Sequence, residues 1–389
     1  MIESVDPLYL DHAASTPPDP EVVEAMLPWL GELHANPHSD HFHGQRAAQA
    51  IAAARVHVAE LIGADPDCLI FTSGATESNN LALQGFLGAV EGRRVLATSR
   101  IEHKSVLRVG QALAEQGVEQ IVIPVDIRGS VAPRQFELAL SGEGRFSRAL
   151  AAIAHGNSEI GTVQQLQPLA EIAHRRGFRL HVDASQTAGK IPINVESDSI
   201  DFATVASHKL YGPAGIGALF ITEEAFGEVK PILYGGAQEQ SLRAGTVPVF
   251  LAVGFGVAAK LAQSKLRSHT QHGDHLTATF LSRLQASCVK FALIGEPRAR
   301  LPGHLSVAFE EVNADDLLAV VATRLSASTG SACSAGDLKA SYVLRGLGMS
   351  EDAASKVIRI TFGRGSSVED AIQAADFITK AIGRIQSRD

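Results

Sequence analysis

Short apolar runs alternate with helical patterns between residues 69 and 222, and polar loops follow the runs. The runs that read as strands lie at 69–72, 94–98, 149–154, 178–182 and 201–205. Strands that alternate with helices in this way form a mostly parallel sheet with helices on both faces. Because ligands bind at the carboxyl ends of the strands in such sheets, the polar loops are the candidate functional segments.

One of these loops carries a lysine in unusual surroundings. The segment 206–215, A-S-H-K-L-Y-G-P-A-G, places Lys209 among small, aromatic and histidine neighbours, with no other cation nearby in the sequence. A lysine partly removed from water has a lowered pKa and can form a Schiff base with an aldehyde such as pyridoxal phosphate (PLP). A surface lysine at a strand-to-turn junction is the alternative, so the other loops must decide between the two.

The loop after the first strand has the character of a phosphate site. It reads S-G-A-T-E-S-N-N over 73–80 and leads into an apolar helix. The free N–H groups at a helix N-terminus suit a phosphate, with Ala75 and Thr76 as the contact positions. An ordinary capped helix is the alternative. The sequence contains neither a Walker loop nor a dinucleotide-binding fingerprint.

Two further strand ends carry groups that suit a cofactor ring. Asp183 directly follows a buried strand, where a carboxylate needs a cationic partner such as a protonated pyridine nitrogen, unless it is a helix N-cap. Gln186 lies one helical turn later and can reach the same ligand. His103 also follows a strand and could stack on a ring, although a lone histidine is more often structural.

Composition and charge narrow the functional classes. The chain has 389 residues, 45% of them hydrophobic, which allows two domains and a large core. A net charge of −8 without a basic run argues against nucleic-acid binding. We see no signal peptide or apolar run long enough for a membrane span, and therefore expect a cytoplasmic protein. The histidine-rich loop 36–44 could bind a metal, but it lacks carboxylate or cysteine partners, and we expect no metal site.

The C-terminal part predicts a second, smaller domain with a reactive thiol. A long helical stretch from about 250 to 289 leads into it. Cys333 lies in the segment 326–342, whose small residues predict a mobile loop and an exposed thiol. Cys68 and Cys288 lie in apolar surroundings, which indicates packing. Arg359 lies in an apolar strand, where its guanidinium needs an anion such as a substrate carboxylate.

The order of these motifs resembles one family. The motifs are S-G-A-T-E-S-N-N, E-H-K-S-V-L, D-A-S-Q, S-H-K-L-Y-G-P, R-A-G-T and G-S-A-C, in sequence from about Tyr9 to Arg364. Together they resemble the cysteine desulfurase family (NifS/IscS-like), in the class V aminotransferase group of fold-type I PLP enzymes. The resemblance implies an α/β fold with a large PLP-binding domain over 15–255. A small α+β domain would comprise 1–14 with 256–389.

The resemblance also implies an activity and partners. Members convert L-cysteine to L-alanine and hold the sulfur as a persulfide on a cysteine, here Cys333. They deliver it to an acceptor protein, such as an iron-sulfur cluster scaffold or a thiolation protein. The loop around Cys333 resembles the longer type of the family, which delivers sulfur directly to partners. A homodimer with shared active sites is implied as well.

The implied roles can be assigned by position. Lys209 matches the lysine that binds PLP covalently, and His103 matches the histidine that stacks on the ring and takes part in proton transfer. The other implied cofactor contacts are Ala75, Thr76, Ser158, Asp183, Gln186, Ser207 and His208, with Thr246 supplied by the other subunit. Asn36 and Arg359 match positions that bind the substrate carboxylate.

Three departures from the family pattern keep other functions open. Ser158 replaces the usual asparagine, the hydroxyl usual at 206 is moved to Ser207, and the residues before Arg243 include Gln240–Ser241. A selenocysteine lyase or another class V lyase or aminotransferase would retain activity without Cys333. A catalytically idle homologue that acts as a binding platform in a sulfur-transfer complex would lack PLP.

Overall fold

A computed structural model describes residues 6–88, 90–142, 145–329 and 341–387. Its strands are β1 (Leu8–Tyr9), β2 (Leu69–Thr72), β3 (Arg94–Ser99), β4 (Glu119–Ile123), β5 (Arg148–Ala154), β6 (Arg179–Asp183), β7 (Phe202–Ala206), β8 (Gly217–Ile221), β9 (Phe291–Leu293), β10 (His304–Phe309), β11 (Leu325–Ser326) and β12 (Val357–Thr361). The strands that the sequence predicts between 69 and 222 are all present.

Helices separate most of these strands. They are α1 (Pro20–Leu30), α2 (Phe42–Ile62), α3 (Ala75–Leu87), α4 (Lys104–Glu115), α5 (Pro133–Ala139), α6 (Leu166–Arg175), α7 (Glu223–Phe226), α8 (Val249–Ser264), α9 (Leu266–Gln285), α10 (Ala314–Val321), α11 (Tyr342–Gly346), α12 (Glu351–Ala354) and α13 (Val368–Gln386). The predicted long helical stretch is two helices, because α8 and α9 meet at a bend of 73°.

The central sheet has seven strands in the order β2-β8-β7-β6-β5-β3-β4. All neighbouring pairs are parallel except those of β8, which runs antiparallel to β2 and β7. Apolar clusters cover both faces of this sheet, with Phe71 in one cluster and Phe202 in the other. The predicted α/β fold is therefore confirmed. The carboxyl ends of β2, β3, β5, β6 and β7 lie along one edge of the sheet.

A second sheet and core occupy the C-terminal part. Strands β12, β10 and β9 form an antiparallel sheet in that order. Its apolar cluster includes side chains of α9, α10 and α13, together with Leu10 near the N-terminus. β1 pairs with β11 in parallel, which ties residues 8–9 to this part of the chain. These contacts agree with an N-terminal segment that belongs to the small domain, while the exact domain boundaries stay a prediction.

The described residues give little sign of a membrane span and none of a metal-ion cluster. Within the described ranges, no single helix has the length and apolar character to cross a bilayer, although the bent pair α8 and α9 together would pass by length and composition alone. The same residues contain no group of three His, Cys, Asp or Glu side chains arranged to hold a metal ion.

Candidate active site

A cavity of about 440 Å³ opens at the carboxyl ends of the central strands, and we call it the main cavity. The sequence-predicted site residues that line it are Ala75, Thr76, His103, Ser158, Asp183, Gln186, His208, Lys209 and Arg359. These residues come from widely separated parts of the chain. The fold therefore brings most of the predicted site together.

Lys209 ends a short 3₁₀ turn that directly follows β7. Its Nζ donates hydrogen bonds to the carbonyl oxygens of Ala13 (2.6 Å) and Ala14 (2.7 Å). The turn itself is closed by the N–H of Leu210, which donates to the carbonyl of Ser207. Because the N-terminal segment fixes the amine at the cavity wall, Lys209 is positioned to react with a bound aldehyde.

Asp183 is the last residue of β6 and is only 7% exposed. Its carboxylate accepts hydrogen bonds from Asn79 Nδ2 (2.9 Å), from the Ser185 N–H (3.0 Å) and from Ser185 Oγ (2.5 Å). No Lys, Arg or His of the described residues forms an ion pair with it within 4 Å. A buried carboxylate with several donors but no cationic partner fits the protonated ring nitrogen of PLP.

A hydrogen-bond chain connects Asp183 to His103. The amide nitrogen of Asn79 uses one hydrogen for Asp183 and donates the other to Ser105 Oγ (2.8 Å). Ser105 Oγ lies 2.7 Å from His103 Nδ1, and the Ser105 N–H also donates to that nitrogen (3.1 Å). Since Nδ1 is an acceptor in these bonds, the neutral imidazole carries its hydrogen on Nε2. His103 is exposed and lines the main cavity, where Nε2 is the nitrogen left for a ligand.

The N-terminus of α3 forms another part of the wall. Its N-cap, Gly74, gives no side-chain cap, so the first N–H groups at Ala75 and Thr76 have no intrahelical acceptor. Gly217 of β8 packs against this turn, and a Cβ there would lie 2.7 Å from the Cα of Gly74. Burial opposes ionisation of Glu77, but hydrogen bonds from Arg243 and Ser73 outweigh it and lower the pKa of its carboxyl. The free N–H groups at Ala75 and Thr76 suit a phosphate, which is the role that the sequence predicts for this turn.

Arg359 of β12 brings a buried cation to the cavity. Its Nη2 donates to Asp11 Oδ1 (2.6 Å), and its Nη1 donates to the carbonyl of Ser158 (3.0 Å). The neighbouring loop is held by Asn157, whose amide nitrogen donates to the carbonyl of Ile101. The guanidinium thus lies in a fixed position, already paired with one carboxylate. A substrate carboxylate must share it with Asp11 or displace that residue.

Gln186 and His208 complete the wall near Lys209. Gln186 Nε2 donates to the carbonyl of Ala13 (2.9 Å). His208 Nδ1 lies 3.3 Å from Ser15 Oγ. Burial, together with the positive charges of Lys209 and Lys190, lowers the pKa of His208 to about 4. His208 is therefore neutral at physiological pH.

Two buried carboxyl groups lie beside the same loops. Burial raises the pKa of Glu102 to about 8, against hydrogen bonds from Ser99 Oγ and the Ala154 N–H. Burial also raises the pKa of Glu159 to about 7, although Ser341 and Arg359 act in the opposite direction. Since both groups bind protons more tightly than usual, neither adds a full negative charge to the cavity near neutral pH.

Three predicted residues do not line the main cavity. Ser207 is fully buried without a partner for its hydroxyl, and a Cβ at Gly212 would lie 2.1 Å from that oxygen. Asn36 is exposed, and its side-chain oxygen accepts a hydrogen bond from the His38 N–H. Thr246 is exposed as well, and its role at a neighbouring subunit stays a prediction.

The three cysteines differ in their surroundings. Cys333 lies outside the described residues. Cys68 is half-buried and packs against an apolar cluster, as predicted. Cys288 is exposed, so the expectation that it packs in the interior is wrong. It lies in the turn after α9 with a positive φ of 62°, and such a turn keeps its side chain at the surface.

Sequence reasoning missed the part that the N-terminal segment and Asn79 of α3 play in the site. The carbonyls of Ala13 and Ala14 accept the hydrogen bonds of Lys209, and Asp11 binds Arg359. The motif D-H-A-A-S-T contained these residues but gave no sign of their distant partners. Asn79 could have been suspected, because it is a polar residue at the start of an otherwise apolar helix.

Comparison with known proteins identifies the family of this chain. The family model "Aminotransferase class-V" matches residues 8–373. A cysteine desulfurase IscS of Rickettsia akari is 38% identical over 384 residues, which is 98% of this chain and 92% of the relative. The chain belongs to the cysteine desulfurase family. A mitochondrial cysteine desulfurase of Drosophila melanogaster is also 38% identical, over 98% of this chain and 82% of its own length.

Solved structures of similar proteins share the fold. A NifS-like protein has a TM-score of 0.88 at 30% identity and covers 98% of this chain and all of its own. A structure titled "SspA in complex with cysteine" has a TM-score of 0.80 at 34% identity, covering 91% of this chain and 98% of the other. Cysteine desulfurases depend on PLP, and the residues that line the main cavity fit that cofactor.

Proposed function

We propose that this chain is a PLP-dependent cysteine desulfurase that converts L-cysteine to L-alanine and holds the sulfur as a persulfide on Cys333. One observation carries the proposal. The main cavity brings together an amine at Lys209, a carboxylate without a counter-cation at Asp183, and a guanidinium at Arg359. Among common cofactors, PLP needs the first two groups, and an amino-acid substrate needs the third.

The chain can hold the cofactor at three places. Asp183 would pair with the ring nitrogen, while Asn79 and Ser185 donate hydrogen bonds to its carboxylate and hold it in place. The first turn of α3 would bind the phosphate, and Lys209 would bind the aldehyde. When bound, PLP supplies that aldehyde and a ring that withdraws electrons from the substrate amino acid.

Arg359, Lys209 and His103 would act on the substrate. Arg359 binds and orients the substrate carboxylate, because its guanidinium is fixed by Asp11 and the Ser158 carbonyl. Lys209 is the group that removes and returns a proton at a substrate carbon. His103 can donate a hydrogen bond from Nε2 to a bound ligand, since Ser105 holds its Nδ1 as an acceptor.

In the sulfur step, the Cys333 thiolate attacks the substrate sulfur. An S–S bond forms, the carbon–sulfur bond breaks, and its electron pair passes to the substrate carbon, which is then protonated to give alanine. The described residues on both sides of Cys333 lie at the main cavity. Ser328 pairs with the backbone of Arg359, and Tyr342 lines the cavity wall. Cys333 follows Ser328 by five residues, a reach of up to about 17 Å, which is compatible with contact to the substrate.

A homodimer would complete the site with Thr246 of the second copy. Thr246 is exposed in a loop that begins after Leu233 and Tyr234, which are 47% and 86% exposed. The exposed apolar side chains of this loop favour a subunit interface here, through which Thr246 could reach the cofactor of the second copy. The sulfur-acceptor protein, whether an iron-sulfur scaffold or a thiolation protein, and the cytoplasmic location stay predictions from the sequence.

The test compares Cys333→Ser with Cys288→Ser in PLP-loaded enzyme. The exposed Cys288 is the control, because it lies outside the main cavity. We expect Cys333→Ser to retain the visible absorption of bound PLP but to produce no alanine from L-cysteine, while Cys288→Ser behaves like the wild type.

Other results would favour the alternative functions. Undiminished alanine production by Cys333→Ser would overturn the persulfide step and favour a selenocysteine lyase or another class V reaction. Wild-type protein that does not bind added PLP would favour a binding platform without catalysis.

A further inference from the structure

A second cavity, of about 50 Å³, lies beside the active site, and we call it the second cavity. Among the described residues, it shares only Ala13 with the main cavity. Its polar lining includes His12, Lys190, His269 and Arg364. No carboxylate of the described residues lines it, so its charged side chains are all of one sign.

The two cations in this cavity, Lys190 and Arg364, have few hydrogen-bond or ion-pair partners among the described residues. Lys190 Nζ makes one long hydrogen bond, to Gln186 Oε1 at 3.4 Å. Arg364 Nη1 is buried without a hydrogen-bond partner among the described residues, and its ion pair with Asp19 has a separation of 3.9 Å. The guanidinium stacks on Tyr211 at 4.2 Å, which holds the group in place but does not neutralise it.

Two histidines present further unused nitrogens to the same space. His12 is 8% exposed, and its Nδ1 has no partner among the described residues. His269 Nδ1 is likewise buried without a partner. Burial is the first cause that lowers the pKa of each imidazole to about 4, so both rings are neutral and each carries one N–H. The N–H of His12 is used by the backbone of Tyr9, whereas that of His269 can be placed on its unpartnered Nδ1. Buried polar groups without partners are costly, and native structures usually satisfy them.

We propose that the second cavity binds a small oxyanion, either an inorganic one such as sulfate or a short carboxylate. Lys190 and Arg364 supply the charge, and His269 supplies a neutral donor. A space of this size holds roughly three or four water molecules, which matches an anion of about three to five heavy atoms. A metal cation does not fit, because both charged groups would repel it.

The anion would also affect the active site through Lys190. Burial and the charges of Lys209, Arg359 and Arg364 lower the pKa of Lys190 to about 7. A bound anion opposes these effects and keeps the ammonium protonated. Because Lys190 donates to Gln186, which lines the main cavity, the anion site and the cofactor site are linked through this hydrogen bond.

The experiment uses PLP-loaded enzyme, so that the cofactor phosphate site is occupied. Binding of sodium sulfate and of sodium formate is measured by calorimetry and by the thermal midpoint, with ionic strength held constant by sodium gluconate. Gluconate is too large for the second cavity. We expect saturable binding of at least one of the two anions and a rise of the thermal midpoint. A response to sulfate alone assigns an inorganic oxyanion, and a response to formate alone assigns a carboxylate.

Substitutions of single residues test whether the anion binds in the second cavity. Lys190→Met removes the buried charge, and Lys260→Met is the control, because Lys260 is exposed on α8. We expect Lys190→Met to weaken anion binding by at least about tenfold, while Lys260→Met binds like the wild type. His269→Ala, which removes a donor without removing a charge, should weaken binding less and serves if Lys190→Met does not fold.

Two outcomes would overturn the proposal. One is wild-type enzyme that binds neither sulfate nor formate beyond the gluconate control. The other is equal anion binding by the wild type and by Lys190→Met or His269→Ala. Neither outcome depends on the desulfurase activity, so the anion site and the proposed function can fail independently.

Discussion

Lys209 and Lys190 are two lysines on the loops after neighbouring strands, β7 and β6, and they have different surroundings. Lys209 donates two short hydrogen bonds to carbonyls in a cavity that also contains Asp183. Lys190 has one long hydrogen bond and lies among cations and histidines. Burial lowers the pKa of Lys190 to about 7, which is typical of a reactive lysine, yet of these two lysines Lys209 has the neighbours that a PLP site requires. A perturbed pKa therefore identifies a functional lysine only together with its contacts.

The largest expected effect separates these two lysines directly. We expect Lys209→Ala to lower alanine production by at least about a thousandfold, because Lys209 is the amine that the turn after β7 holds at the cavity wall beside Asp183. Lys190→Met, which changes a residue of the second cavity, should keep turnover within several-fold of the wild type. Alanine release by both variants, at equal PLP loading, measures the difference. Equal losses in the two variants would contradict the separate roles.

The next effect tests why the main cavity, and not the second, suits a cofactor ring. Asp183→Asn keeps the size of the side chain but removes the charge that would pair with a ring nitrogen. We expect kcat to fall by about a hundredfold or more, with a smaller change in KM. The matched control is Asp201→Asn, at an acid that forms ion pairs with His174 and Arg179 outside the main cavity. A similar kcat for Asp183→Asn and the wild type would contradict the claim that the Asp183 carboxylate makes the main cavity suitable for a cofactor ring.

A smaller effect concerns Asp11, whose carboxylate pairs with Arg359 of the main cavity, whereas no carboxylate of the described residues lines the second cavity. Asp11 competes with substrate for Arg359, so Asp11→Asn should lower KM for L-cysteine by a few-fold. The thermal midpoint should fall at the same time, because Arg359 loses a partner while buried. Steady-state kinetics and thermal unfolding measure the two changes. A KM that rises would indicate that Asp11 instead orients Arg359 for the substrate.

The smallest effect is a pH dependence of stability at Lys190. Burial is the first cause that lowers the pKa of Lys190 from 10.5 to about 7 in the folded protein, so the unfolded chain binds this proton more tightly. The charge therefore reduces native stability below pH 7, and the penalty disappears as the pH rises from 7 toward 10.5. In gluconate buffer, Lys190→Met should be more stable than the wild type at pH 6 and show a smaller advantage at pH 9. Urea unfolding measures both, and an advantage that grows with pH would contradict the pKa direction.

Local patterns in the sequence predicted five strands of the central sheet and the loops at their ends, but not β4 at its edge. They identified Lys209, Asp183, His103 and Arg359 because each lies directly within or after an apolar strand. The local view misjudged the surroundings of Lys209, which had no nearby cation in the sequence. In the folded chain, Lys190 lies within electrostatic range of Lys209.

Contacts between distant segments could not be predicted from local patterns. Asp11 is far from Arg359 in the sequence, and Asn79 is far from Asp183. The bend between α8 and α9 falls at Lys265, where neither Pro nor Gly marks a break. Asn36 was assigned to the substrate only through the family resemblance, and in the single chain it is exposed and away from the main cavity.

The most direct measurement is the position of the covalent bond between PLP and the protein. PLP-loaded enzyme is reduced with sodium borohydride, digested, and its peptides are analysed by mass spectrometry. We expect the reduced cofactor on the peptide that contains Lys209. Reduced cofactor on Lys190, or on neither lysine, would contradict the assignment of Lys209 as the lysine that binds PLP.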